Sequence, residues 1–221
     1  MNSVDKSMKH IDLMIFDLDG TLVDSGNDIA SSVNYTLKVL GIPTKKYEEV
    51  LRYVGDGVQK LIERSLGEDN YHRFDDAMGI FSAYYTEHML DSTTLYDSVI
   101  KVLEHFQKKR KVIITNKREL FTLKITNSLD ISQYFDEIIG SDSKDFKKPD
   151  ARLLLPLLEK YCSENHSAVV IGDGVNDIKL AKNAGVISCA LLNGLTERNI
   201  LLALKPDFIC ENLSELMSLF S

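Results

Sequence analysis

The chain is short of positive charge, has few cysteines and contains no long apolar run, and each shortage excludes something. Its 33 Asp and Glu residues outnumber its 26 Lys and Arg residues, for a net charge of −7. A surface of that sign repels phosphodiester backbones and anionic lipid, so neither a nucleic acid polymer nor a membrane is an expected partner. An anionic substrate would have to be met by local charge. The three cysteines, Cys162, Cys189 and Cys210, are odd in number and form no CxxC pair. They read as reduced thiols of a cytoplasmic protein and not as a disulfide framework. None is placed at a strand end with a base, which argues against a thiol nucleophile. The five histidines show no metal-ligand spacing. Met1–His10 is polar, so no secretory signal is expected, and no stretch is apolar for long enough to span a bilayer. What is present is a chain of 221 residues, 44% hydrophobic, enough to bury a core without disulfides or structural metal.

Short apolar runs ending abruptly in polar residues organise that core. Leu13–Phe16 runs into Asp17-Leu18-Asp19-Gly20, Lys111–Thr115 ends at Thr115-Asn116, and Ala168–Ile171 ends at Gly172-Asp173-Gly174. These read as buried parallel strands. Glu137–Ile139 and Val186–Leu192 are further strand candidates. Helical patterns lie between them at Ser98–Lys109, Arg118–Leu129, Ala151–Cys162 and Asn176–Ala184. Asp97 is a candidate N-cap for the first and Gly185 a candidate C-cap for the last. The alternation predicts an α/β fold, a Rossmann-like parallel sheet with helices on both faces. Residues 26–92 break it with helical patterns at Asp28–Leu40, Lys46–Val54, Val58–Leu66 and Tyr71–Leu90 and no convincing strand. That segment is expected to be an inserted helical cap, joined near Ser25 and Ser92-Thr93 to a catalytic core of residues 1–25 and 93–221.

Ligands of open parallel sheets bind beyond the carboxyl ends of the strands. That rule brings Asp17, Asp19, Thr115, Asp173 and Asp177 to one pocket. Several carboxylates in one crevice repel one another, and a hard cation with oxygen ligands, Mg²⁺, is the natural neutraliser. Such an ion also holds a phosphate oxygen in acidic surroundings. An isolated DxD is more often an acidic turn. Here it follows an apolar strand, precedes Gly-Thr and is matched downstream by Gly172-Asp173-Gly174-Val175-Asn176-Asp177.

Asp17-Leu18-Asp19-Gly20-Thr21-Leu22-Val23-Asp24-Ser25 resembles the first signature of the haloacid dehalogenase superfamily in its phosphatase form. Thr115 matches the second motif, Lys148 before Pro149 the third, and the segment from Gly172 to Asp177 the fourth. The resemblance spans essentially the whole chain. It implies that Asp17 attacks phosphorus and forms an aspartyl-phosphate. Asp19 would act as acid and then base while its backbone carbonyl binds metal. Thr115 would hold phosphate oxygens and Lys148 would neutralise charge. Asp17, Asp19, Asp173 and Asp177 form the implied Mg²⁺ set, with Asp177 orienting metal-bound water or bracing Lys148. Asp24 is expected to serve the hinge. Many relatives carry a second proline where this chain has Ala151.

The cap segment Val54-Gly55-Asp56-Gly57-Val58-Gln59-Lys60-Leu61 resembles that of phosphoglycolate phosphatases, and Thr115-Asn116-Lys117 fits the same branch. Gly55 and Gly57 either let backbone N–H groups meet a carboxylate or simply turn the chain. Lys60 and Arg52 are candidate cations for an anionic leaving group, and for Arg52 ordinary surface charge is the preferred reading. The expected substrate-binding residues are thus Thr115, Asn116, Gly55, Gly57 and Lys60. The implied activity is Mg²⁺-dependent hydrolysis of phosphoglycolate or a similar small phosphate ester, by a monomer or homodimer. A β-phosphoglucomutase-like phosphomutase, a pyrophosphatase and a nucleotidase keep the same core residues and stay open. Asp19 argues against a dehalogenase and makes phosphoester cleavage more economical than phosphonate hydrolysis. Retention of Asp17, Asp19 and Lys148 argues against a non-enzymatic binder.

Overall fold

The structure, a computed structural model, describes residues 8–163 and 167–221. Met1–Ser7, most of the polar amino-terminal stretch, lies outside the described residues. Strand β1 (Leu13–Phe16) is followed by a two-residue strand, β2 (Val23–Asp24). Four helices come next: α1 (Gly26–Val39), α2 (Tyr47–Leu51), α3 (Val58–Leu66) and α4 (Phe74–His88). The chain returns through β3 (Thr94–Leu95), which pairs antiparallel with β2 and brackets the helical insertion with a small ribbon. Asp24 sits in that ribbon opposite Thr94.

The remainder is regular α/β. It runs α5 (Val99–His105), β4 (Arg110–Ile114), α6 (Glu119–Ser128), β5 (Glu137–Ile139), α7 (Leu155–Tyr161), β6 (Ala168–Gly172), α8 (Val175–Ala184), β7 (Ile187–Leu191), α9 (Arg198–Ala203), β8 (Phe208–Cys210) and α10 (Leu216–Leu219). The six-stranded sheet has the order β5-β4-β1-β6-β7-β8, with every pair parallel. The connections go outward from β1 to β4 and β5, then cross to β6, β7 and β8 on its other side. This reversal leaves a crevice beside β1 at the carboxyl edge.

Strand pleating explains why the apolar runs are continuous. Met14 and Phe16 enter one buried cluster with Ile113, Val169 and Ile171. Leu13 and Ile15 enter another, on the opposite face, with Val112, Ile114 and Val170. Both faces are covered by helices, so no position of β1 can be polar. The first cluster continues into the insertion through Ile29, Val33, Leu61, Phe81 and Tyr85.

Some boundaries differ from the sequence reading. The helix expected over Ser98–Lys109 spans only Val99–His105, and its N-cap is Ser98 at φ 69°, not Asp97. The helix expected from Ala151 begins at Leu155, because Pro156 lacks an N–H and belongs in a first turn. A separate 3₁₀ turn, Ala151–Leu153, precedes it. Gly185 does end α8 in the left-handed region, at φ 69° and ψ 28°. The ribbon strands, β8 and α9 have no counterpart in that reading. β8 is three residues long at the sheet edge with Ile209 exposed, too short and too mixed to stand out.

Candidate active site

Register sets the site. Phe16 lies level with Ile113 of β4 and Ile171 of β6, each one residue before its strand's end, so the three strands finish within a residue of one another. Asp17, Thr115 and Asp173 follow at the same edge. The ladder holds them: Asp17 N donates to Ile171 O at 3.0 Å and Thr115 N to Ile139 O at 3.0 Å. Lys148, on the loop before the 3₁₀ turn, places its buried ammonium 2.8 Å from Asp17 Oδ1 and 2.6 Å from Asp177 Oδ1. Burial works against its charge, but Asp17 and Asp177 outweigh burial and raise the pKa above the ordinary lysine value. Asp177 thus braces Lys148, and its Oδ2 accepts the Gly174 N–H at 2.9 Å across the first turn of α8.

Asp173 is equally fixed. Its Oδ1 accepts from Thr21 Oγ1 at 2.8 Å and its Oδ2 from Leu195 N at 2.7 Å. Its own N–H returns a bond to Thr21 Oγ1 at 3.1 Å. Glycine makes the room. A Cβ on Gly20 or Gly194 would run into the Asp173 carboxylate, and one on Gly172 into that of Asp177. Thr21 was not singled out from the sequence, although it stands inside the first motif.

One carboxylate oxygen each of Asp17, Asp173 and Asp177 fall within 4.8 Å of one another. Burial first, then the charges of Asp17 and Asp177, push the Asp173 carboxyl up to about 7. Burial and the Asp17 charge raise Asp177 as well, against the pull of Lys148. Three carboxylates facing one ammonium lack positive charge, and their donors are all oxygen, which suits Mg²⁺. The Asp19 side chain stands apart from this group. Its carboxylate contacts Lys117 Nζ at 2.9 and 3.0 Å and Ser25 Oγ at 2.5 Å.

Beyond Asp19 a cavity of about 70 Å³ opens between core and insertion. Thr115, Asn116, Gly55 and Gly57 line it, as does Lys117. Asn116 Nδ2 donates to Gly55 O at 2.8 Å and to Lys148 O at 3.2 Å. Asn176 Nδ2 also reaches Gly55 O, at 3.1 Å, and Asp56 Oδ1 at 2.7 Å. The core therefore grips the Gly55–Gly57 turn, in which Gly55 (φ 112°) and Gly57 (φ 90°) adopt backbone that favours glycine. Lys60 is not brought here. It sits half-exposed on α3, paired with Glu63 at 2.6 Å, and does not line the cavity. Arg52 pairs with Glu197 at the surface. Lys117, quoted above within Thr115-Asn116-Lys117 but given no role there, is a buried cation of the cavity. Its position two residues after Thr115, at a strand end, was the available signal. Burial opposes its charge, and Asp19 more than compensates, raising its pKa.

A family model, haloacid dehalogenase-like hydrolase, matches residues 14–191, and the chain belongs to that family. Within it the chain is a phosphoglycolate phosphatase-like hydrolase, as its relatives indicate. It is 34% identical over 220 residues to the phosphoglycolate phosphatase of Vibrio parahaemolyticus, covering 96% of each chain. It is 34% identical over 209 residues to that of Aquifex aeolicus, covering 94% of this chain and 95% of the other. The crystal structure of a predicted phosphoglycolate phosphatase from Haemophilus somnus superposes with a TM-score of 0.87 at 28% identity, covering 96% of this chain and 98% of that one. Among the described residues, no helix is long and apolar enough to cross a membrane.

Proposed function

We propose that this chain hydrolyses a small phosphate monoester, phosphoglycolate in the first instance, through an aspartyl-phosphate on Asp17. The observation that carries the reading is Asp17 at the end of β1, held by buried Lys148 and within 4.8 Å of Asp173 and Asp177. An Asp17 oxygen forms a bond to phosphorus as the ester oxygen departs, and Asp19 supplies that oxygen's proton. Water then attacks the aspartyl-phosphate, with Asp19 taking its proton, and inorganic phosphate leaves. Lys148 and Thr115 stabilise charge on the phosphoryl oxygens. Lys117 and Ser25 hold Asp19 in place. Mg²⁺, held by Asp17, Asp173 and Asp177 with the Asp19 backbone carbonyl, would neutralise the cluster and polarise a phosphoryl oxygen.

Residues 26–92 act as a cap over a core of residues 1–25 and 93–221, excluding water and selecting the ester. Asp28, near the start of α1, supports that division. Its carboxylate accepts from the backbone N–H and hydroxyl groups of both Ser92 and Thr93, at 2.5–3.1 Å, and so ties the two linkers together. Three free thiols agree with a cytoplasmic location.

The test is turnover with Mg²⁺ on phosphoglycolate, ethyl phosphate, pyrophosphate, a nucleoside monophosphate and β-glucose 1-phosphate. Phosphoglycolate is expected to give the highest kcat/KM. EDTA should abolish turnover, Mg²⁺ should restore it, and Ca²⁺ should inhibit. A higher kcat/KM on another ester overturns the substrate reading. Full turnover in metal-free protein overturns the chemistry.

A further inference from the structure

The cavity holds two buried polar atoms without a hydrogen bond, Tyr85 Oη from the cap and Asn116 Oδ1 from the core. Tyr85 is 2% exposed and Asn116 5%, and both line the cavity. Buried polar atoms are almost always paired, so an orphan facing a cavity marks a place for a ligand atom. The Asn116 amide is fixed by its two donor bonds, which leave Oδ1 able to accept only. Tyr85 is different. Burial raises its hydroxyl to about 12, against a lowering pull from the neighbouring Lys117 ammonium, so at neutral pH it keeps a proton to donate.

Lys117 Nζ lies 4.8 Å from the centroid of the Tyr85 ring. An ammonium has three donors, and Asp19 engages at most two of them. The third faces the Tyr85 oxygen, which leaves the Tyr85 O–H as the donor turned to the cavity, with the Lys117 ammonium behind it. The other walls are largely apolar, with Ile29, Val54, Leu61, Phe81 and Phe121, and include a further cation, Arg118, which is paired with Asp142. Phe81 and Phe121 pack on the Tyr85 ring at centroid distances of 5.4 and 5.2 Å and hold it in one orientation. A donor backed by an ammonium in a largely apolar enclosure suits a carboxylate. A volume of about 70 Å³ suits a leaving group of a few heavy atoms.

We infer that Tyr85, acting with Lys117, is the specificity determinant of this site and receives a carboxylate borne on the leaving group. The inference rests on the phosphatase reading above and adds to it the class of ester selected, short phosphorylated acids. Tyr85 acts at the far end of the substrate and takes no part in breaking the phosphorus–oxygen bond.

The experiment compares phosphoglycolate with ethyl phosphate, which carries a methyl group where phosphoglycolate has its carboxylate. Both are measured with Mg²⁺ in the wild-type protein and in Tyr85→Phe. The variant keeps the ring and its packing, and a thermal melt checks its fold. The ratio of kcat/KM values, phosphoglycolate over ethyl phosphate, should fall about tenfold or more, since a hydrogen bond to a charged group is lost. Glycolate should also inhibit the variant more weakly, a readout that does not pass through the chemical step. If the wild-type protein prefers phosphoglycolate and Tyr85→Phe preserves that preference, the role of Tyr85 is overturned while the proposed function stands. If the wild-type protein turns over both esters with no preference, the carboxylate reading itself falls.

Discussion

In the core each carboxylate oxygen of Asp173 and Asp177 has its own donor: Thr21, Leu195, Lys148 and Gly174. Glycines 20, 172 and 194 leave no slack around them. Facing the leaving group, Tyr85 Oη of the cap and Asn116 Oδ1 of the core loop after β4 have no close hydrogen-bond partner. Apart from the cation its carboxylates call for, the core side is built before substrate arrives, and whatever ester is bound presents it with the same phosphoryl group. The cap side is completed by the leaving group. On the proposed reading chemistry and selection occupy opposite walls, and changes on each wall should leave different kinetic signatures.

The largest effect should come from the core wall. Asp17→Asn removes the proposed nucleophile and should lower kcat on the order of 10³-fold or more for every ester alike. The fold should survive, because the loss of the Lys148 contact is offset by relief of the like charge that raises Asp173 and Asp177. Single-turnover measurements with phosphoglycolate and ethyl phosphate decide it. Near-normal turnover of either would mean that Asp17 is not the nucleophile, and a selective loss of one would erase the division between the walls.

Next in size is a stability effect confined to the core wall. Asp173 and Asp177 have raised pKa values, so between about pH 4 and about pH 7 the folded chain binds more protons than the unfolded chain. Stability of the metal-free protein should therefore fall as pH rises through that window. Mg²⁺ requires the ionised carboxylates, so its stabilisation should be greater at pH 8 than at pH 5. At a hundredfold excess over Kd it should contribute about 2.7 kcal/mol, or roughly 5–10 °C in Tm at about 2–4 °C per kcal/mol. Melts in EDTA and in Mg²⁺ at both pH values measure this. An equal Mg²⁺ shift at pH 5 and pH 8 would mean that the ion does not bind at these carboxylates.

The sequence disclosed the core wall and concealed most of the cap wall, for a physical reason. A strand buried on both faces must be apolar throughout, so the switch from Leu13–Phe16 to Asp17 and Asp19 is abrupt and visible. The same holds for β6 before Asp173. Tyr85 gives no such contrast, because an aromatic four residues after Phe81 on an amphipathic helix reads as core, and the ring is core. Only its hydroxyl has a separate use, and that depends on α4 lying across from the loop after β4. Lys60 drew notice because it sits in a recognisable segment. The rotation of α3 carries it outward to Glu63, which linear order does not reveal.

The smallest expected effect tests whether the grip on the Gly55–Gly57 turn belongs to either wall. Asp56 Oδ1 accepts from Asn176 at 2.7 Å, its Oδ2 from Arg64 at 2.5 Å, and its backbone carbonyl from Lys147 at 3.2 Å. Burial works against its charge, but the bonds from Asn176 and Arg64 prevail and hold its carboxyl below the usual range. Asp56→Ala removes the side-chain contacts and leaves the backbone ones, including those of Asn116 and Asn176 to Gly55 O. Asp56 is partly solvent-exposed, so the loss should be modest, about 0.5–1.5 kcal/mol. If the grip only closes the cap, that cost falls on every substrate equally, and kcat/KM should drop roughly two- to tenfold for phosphoglycolate and ethyl phosphate alike. The ratio between the two esters should stay at its wild-type value, unlike the shift expected for Tyr85→Phe. A ratio that moves with Asp56→Ala would mean that the turn itself reads the leaving group. Gly55 and Gly57 would then join Tyr85 and Lys117 in selection.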